Sequence, residues 1–191
     1  MDALLSQVRQ CTICADYLPL GPHPIVSAHP ESKIVIIGQA PGIKVHNSGI
    51  AWNDASGKRL RTWLNVNETQ FYDTKNFAII PMGFCYPGKG KSGDLPPRPE
   101  CAPQWHDAIL NKITDVKLII LIGNYAQKYY LKDKVGKNLT DTVSDFESYL
   151  PTYFPMPHPS PRNRFWLSKN QWFETSVVPE LQKCVQEILQ E

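Results

Sequence analysis

The sequence predicts an α/β protein, a three-layer α/β/α sandwich around a four-stranded, mainly parallel sheet. Three observations carry that expectation. Short apolar runs recur at residues 33–37, 77–82, 117–122 and 153–156. Stretches of helical spacing separate them, the alternation that yields parallel strands joined by crossover helices. The runs are apolar throughout rather than alternating, as strands covered on both faces are.

Taken in order, residues 33–37 (Lys-Ile-Val-Ile-Ile) form a strand that ends at Gly38. Ser56 is the expected N-cap of a helix through Leu60 and Leu64, with Trp63 alongside. Residues 77–82 and 117–122 repeat the strand pattern, and Gly123 closes the latter. Between them a helix is expected over 103–113, with Pro103 in its first turn. Residues 125–131 and 140–150 read as helices, 153–156 as a weaker fourth strand, and 179–189 as a C-terminal helix. Such sheets bind ligands beyond the carboxyl ends of their strands. Here those ends carry 38–49, 81–85 and 158–164, where the unusual residues gather.

The chain has 191 residues, which predicts a single domain over 1–191. Twenty Lys and Arg against 18 Asp and Glu leave a net charge of +2. That sum excludes a polybasic tail, so any nucleic acid must be held by a local basic patch. No apolar run approaches the roughly 18 residues of a membrane span. Residues 1–10 lack a signal peptide's apolar stretch. A cytoplasmic protein without membrane contact is expected. No heptad or long apolar stripe calls for a protein partner, and a monomer is expected. Five cysteines in that setting point to metal or redox chemistry rather than a disulfide framework. The 17 prolines cluster at 96–103 and 151–161, where they make rigid, shaped loops.

Two segments carry chemistry. Gly38-Gln39-Ala40-Pro41-Gly42 leaves the first strand, and its small residues let backbone N–H groups approach a ligand closely. The same residues also suit an ordinary strand-to-helix turn. His158-Pro159-Ser160-Pro161-Arg162-Asn163-Arg164 follows the last strand, and two prolines stiffen a loop rich in donors for an anionic group. In this order, the two segments resemble the motifs of the uracil-DNA glycosylase superfamily, over nearly the whole chain. The chain is most similar to the bacterial and archaeal iron–sulfur glycosylases of family 4. Their first motif is Gly-Glu-Ala-Pro-Gly, followed by a Gly and a stacking Phe, matched here by Gly49 and Trp52.

The resemblance implies a role for each matching residue. Such an enzyme flips a base out of DNA into a pocket. Trp52 would stack on that base, and Gln39 with the backbone of Gly38, Ala40, Pro41 and Gly42 would surround the sugar and the attacking water. His158 would stabilise negative charge on the leaving base. Ser160 would hold a phosphate, while Pro161, Arg162, Asn163 and Arg164 would wedge into the gap left in the strand. Two positions depart from the pattern. The carboxylate that activates water in other branches is Gln39 here, which orients a water but takes no proton. His46 and Asp54, in the same loop region, are the groups that could compensate. The family's base-reading Asn, four residues before a cysteine, falls on Pro81. Asn53 or backbone groups would have to replace it.

Cys11 and Cys14 form a C-x2-C pair, and Cys85 and Cys101 a second pair. Such a set suits an iron–sulfur cluster or zinc, or four unliganded buried thiols. By the resemblance it matches the ligands of a structural 4Fe–4S cluster. Cys184 reads as filler. Between Cys85 and Cys101, residues 87–94 (Pro-Gly-Lys-Gly-Lys-Ser-Gly-Asp) place Lys89 and Lys91 where phosphates could lie, without the full Walker spacing. Lys58, Arg59 and Arg61 read as a solvated helix face. The expected function is cleavage of the N-glycosidic bond of a deaminated or modified base, in single- or double-stranded DNA. A module of the same fold that binds modified DNA without catalysis, and a nucleoside hydrolase, are the alternatives.

Overall fold

The computed structural model describes residues 1–190. Four strands, β1 (Ile34–Ile37), β2 (Phe77–Ile79), β3 (Leu118–Ile122) and β4 (Tyr153–Met156), form one sheet in the order β2-β1-β3-β4. All three pairings are parallel, with Ile34 opposite both Phe77 and Leu118, and Ile119 opposite Tyr153. The expected four-stranded α/β architecture is therefore present, and the sheet is wholly parallel.

The two-residue period of a strand sends successive side chains to opposite faces, and each face is covered. Ile34, Ile36, Ile120 and Phe154 pack with Leu60, Leu64, Phe173, Leu181 and Val185 on one side. The residues between them, Val35, Ile37 and Leu121, pack with Leu5, Val8, Ile109 and Leu131 on the other. The first layer holds α3 (Ala55–Leu64), α7 (Leu139–Ser144) and α9 (Val178–Gln190); the second holds α1 (Asp2–Arg9), α5 (Asp107–Leu110) and α6 (Asn124–Leu131). Fully burying a side chain such as Phe77 or Phe154 contributes about 1.5–3 kcal/mol, so these two apolar layers hold the sheet between them.

From β1 the chain leads to β2 on one side, while β3 and β4 extend the sheet on the other. The carboxyl end of β1 is thus the switch point, where an open crevice forms. The turn at 38–42 leaves β1 there and enters α2 (Ile43–Ser48). Just past the adjacent strand β3, a Cβ at Gly123 would lie 4.0 Å from the Cβ of His158. Topology alone brings distant parts of the chain to one crevice.

Several boundaries differ from expectation. Asp54, not Ser56, caps α3: its carboxylate accepts the Gly57 N–H at 2.8 Å, and Ser56 is buried inside the helix. β2 stops at Ile79, short of Pro81, which has no N–H to extend a ladder. The expected helix over 103–113 opens as a wide π-turn, Ala102–His106, and continues as α5. The segment at 140–150 divides into α7 and a 3-10 turn, Phe146–Tyr149. Three short helices were not expected, α2, α4 (Glu68–Tyr72) and α8 (Arg164–Lys169), nor was α1. Helices of five or six residues have too little apolar period to read, and local caps identify them better: α4 carries a capping box between Asn67 and Gln70.

Candidate active-site cleft

A cleft of about 550 Å³ opens at the switch point. One wall is the whole 38–42 turn; Trp52 and Asp54 line a second, and His158, Ser160, Arg162 and Asn163 a third. Ser92, Gly93 and Asp94 close it from the loop between Cys85 and Cys101, and Pro81 lies at its floor with Ile79.

The rings of Trp52 and His158 lie 5.5 Å apart, tilted by 36°. Trp52 is held there by contacts on several sides. Its φ is +56°, an unusual value for a bulky residue, and it turns the chain so that Trp52 and Asp54 both line the cleft. A Cβ on Gly38 would sit 2.8 Å from the indole, and one on Gly57 only 1.7 Å from the Trp52 carbonyl oxygen. Both glycines are therefore required by close approach. Arg61 donates to the same carbonyl at 3.4 Å and pairs with Glu68 at 3.0 Å. Arg59 donates to the Ser160 carbonyl at 3.3 Å. The face of α3 expected to be solvated thus braces both loops of the cleft, Arg61 with only 11% of its side chain exposed.

His158 is fixed by its own loop. The Ser160 N–H donates to His158 Nδ1 at 3.2 Å, and Asn163 Nδ2 donates to the His158 carbonyl at 2.7 Å. A neutral imidazole whose Nδ1 accepts carries its proton on Nε2. Burial lowers the pKa of His158 and the nearby Asp54 carboxylate opposes that shift only in part, so the ring is neutral at pH 7. The cleft therefore offers a neutral N–H donor beside an aromatic face.

Behind the floor, the π-turn points His106 into the core. Its ring bonds to the Tyr130 hydroxyl at 2.6 Å and to the Pro81 carbonyl at 3.0 Å. A carbonyl only accepts, so Nε2 donates to Pro81 and Nδ1 accepts from Tyr130. Nothing in the sequence singled out His106; a lone His in an apolar helix carries no motif.

Cys11, Cys14, Cys85 and Cys101 converge on a separate small cavity with Leu18, Phe84 and Arg98, and none forms a disulfide. Burial raises the Cys85 thiol to about 11 and Cys101 to about 12. Cys14 lies 3.5 Å from Glu100, which pairs with Arg98, and Arg98 in turn covers the Tyr17 ring at 4.2 Å. Among the described residues no group of three or more His, Cys, Asp or Glu is placed to hold a metal ion. The four thiols nonetheless share one cavity, and soft sulfur donors suit iron–sulfur clusters or zinc.

The family model described as the uracil DNA glycosylase superfamily matches residues 26–182. The chain belongs to that superfamily. The match includes both walls built by its two motif segments, as well as Cys85 and Cys101.

Within the superfamily frame, most of the expected site residues meet at the cleft, but not all. Gly38, Gln39, Ala40, Pro41, Gly42, Trp52, His158, Ser160, Arg162 and Asn163 line it. Asn53 does not: it is exposed, because the turn at Trp52 sends its two neighbours inward instead. Pro161 and Arg164 also lie outside the lining, and Arg164 stacks on Phe165 with its guanidinium 5.0 Å from the ring centroid. Lys89 and Lys91 are exposed on the loop whose next three residues reach the cleft. His46 is turned away, packed against His23 at 5.1 Å, whereas Asp54 is in the lining. No described helix is long and apolar enough to cross a membrane.

Proposed function

We propose that the protein is a DNA glycosylase, hydrolysing the N-glycosidic bond of a deaminated or modified base in DNA. The observation that carries this reading is the pairing of Trp52 with a neutral His158 at 5.5 Å beside the 38–42 turn. An aromatic face to stack on and a fixed N–H donor are what a flipped nucleotide needs.

In this reading the base lies on the free face of Trp52. As the glycosidic bond breaks, negative charge gathers on the base, and the Nε2–H of His158 is already aimed by Ser160 and needs no reorganisation. The turn at 38–42 borders the sugar, and Gln39 orients water without accepting its proton. The 158–164 loop meets the DNA strand, where Arg162 offers a charge to a phosphate. Pro81 gives no side-chain donor or acceptor, so the edge of the base is read by backbone groups, of which the Pro81 carbonyl is occupied by His106. Cys11, Cys14, Cys85 and Cys101 would hold a 4Fe–4S cluster, or zinc, in a structural role, tying the N-terminal segment to the loop before Cys101. Monomeric, cytoplasmic action on DNA completes the proposal. A module that binds modified DNA without cleaving it is the second reading, favoured by Gln39 standing where a base is expected.

The test is an excision assay on single- and double-stranded oligonucleotides carrying uracil, hypoxanthine, xanthine or modified pyrimidines, followed by alkali. Cleavage at one base, lost in His158→Ala, supports the glycosylase. Salt-dependent binding with no cleavage of any substrate supports the binding module.

A further inference from the structure

Two carboxylates line the cleft from different loops, and they are not equivalent. Asp54 has one oxygen occupied by the Gly57 N–H, and its charge bears on His158. Asp94 comes from the loop between Cys85 and Cys101. Its loop closes through a bridge between Lys89 and Asp94, with Gly90 N to Gly93 O at 2.6 Å and Leu95 N to Gly88 O at 2.8 Å. Gln39 Nε2 donates to the Leu95 carbonyl at 3.4 Å, which lays this loop over the 38–42 turn. One carboxylate oxygen of Asp94 consequently lies 3.4 Å from the Cβ position of Gly42. No described ion pair involves that carboxylate, and Arg162 approaches the adjoining Gly93 instead.

We propose that Asp94 is a catalytic carboxylate of this cleft, facing the sugar of the bound nucleotide and accepting the proton of the attacking water. The proposal rests on the glycosylase reading and deepens it. When the bond between sugar and base breaks, its electron pair leaves with the base nitrogen, and positive charge spreads over C1′ and the ring oxygen. Water then bonds through oxygen to C1′; its proton passes to Asp94 and on to solvent, and the base takes a proton from solvent. A carboxylate helps on the side where positive charge builds and hinders where negative charge gathers. His158 marks the negative side, and Asp54 stands next to it. Asp94 stands over the turn, on the positive side, next to a Gln39 that cannot take a proton. The position deprived of a carboxylate in sequence is thus supplied with one by a loop far along the chain.

The test needs no knowledge of the target base. Affinities of the full chain are measured for two duplexes, one with a cationic pyrrolidine abasic-site analogue and one with its neutral tetrahydrofuran counterpart. The wild type is expected to prefer the cationic duplex by about tenfold or more, as one charge-assisted contact provides. Asp94→Asn should abolish that preference, with neutral-duplex affinity the same or tighter because a negative charge facing DNA is removed; Asp54→Asn should keep the preference. If Asp94→Asn retains it, or the wild type binds both duplexes equally, the proposal is overturned while the glycosylase reading stands. Failure to bind either duplex, together with no excision, removes that reading and the proposal with it.

Discussion

The backbone N–H of Ser160 donates to Nδ1 of His158 across 3.2 Å, and this one bond decides which imidazole nitrogen carries the proton. Pro159 and Pro161 on either side of Ser160 stiffen the backbone that delivers it. A second protonation would place N–H against N–H and break the arrangement.

Excision should therefore need the neutral ring. Burial lowers the His158 pKa, so protonation begins only below the ordinary value of about 6.5. The single-turnover rate is expected to be flat above neutrality and to fall as pH drops through that lowered value. His158→Ala should cost about 10²- to 10³-fold, the usual loss for a preorganised donor. A rate that rises as pH falls below about 6 would contradict the assignment.

Trp52 depends on two glycines in different ways. At Gly57 an added Cβ meets backbone, the Trp52 carbonyl oxygen at 1.7 Å; at Gly38 it meets only the indole ring at 2.8 Å. Gly57→Ala is expected to destabilise the fold by about 1–3 kcal/mol, as overpacking does. Gly38→Ala should cost less stability but tilt the ring, weakening base binding more than folding. Urea midpoints alongside affinity for a duplex carrying a flipped base separate the two effects.

His106 makes the fold acid-sensitive. It is fully buried, and burial lowers its pKa to about 4, against about 6.5 in the unfolded chain. The unfolded chain binds the proton first, so stability is complete above about 6.5 and is lost as pH falls towards 4. The loss should reach roughly 2 kcal/mol by about pH 5. Denaturant midpoints at about pH 7 and pH 5 measure it, and His106→Phe should remove this part of the dependence. Equal wild-type midpoints at the two pH values would contradict the account.

The shared thiol cavity predicts metal content. Protein purified without oxygen is expected to contain iron and acid-labile sulfide, lost together in Cys85→Ala and Cys101→Ala. Cys184, packed on the opposite core cluster, should be replaceable by Ala without loss. Zinc without sulfide would assign the cavity to zinc.

The parts of the molecule readable from sequence are those where neighbouring residues share one cause. An unbroken apolar run such as 34–37 states its burial on both faces, and the alternation of such runs with helices implies the parallel sheet. The segments at 38–42 and 158–164 are legible for the same reason: glycine and proline constrain backbone locally, whatever surrounds them. The rule that ligands sit beyond strand ends then places both at one crevice.

What tertiary structure decided involves residues whose role depends on partners far along the chain. Asn53 and Asp54 are adjacent polar residues, yet one is exposed and the other lines the cleft, because the left-handed turn at Trp52 sets the direction of both side chains. Arg59 and Arg61 read as a solvated face but reach carbonyls of Ser160 and Trp52. His106 becomes a brace for Pro81 only when α5 and α6 pack on the same side of the sheet. Asp94 comes over Gly42 only because its loop is closed on itself and bonded to Gln39. Composition and local pattern determine strands, turns and the residue types available at the crevice. Which charges face it is set by long-range packing, since a side chain's direction is fixed by contacts that no local window contains.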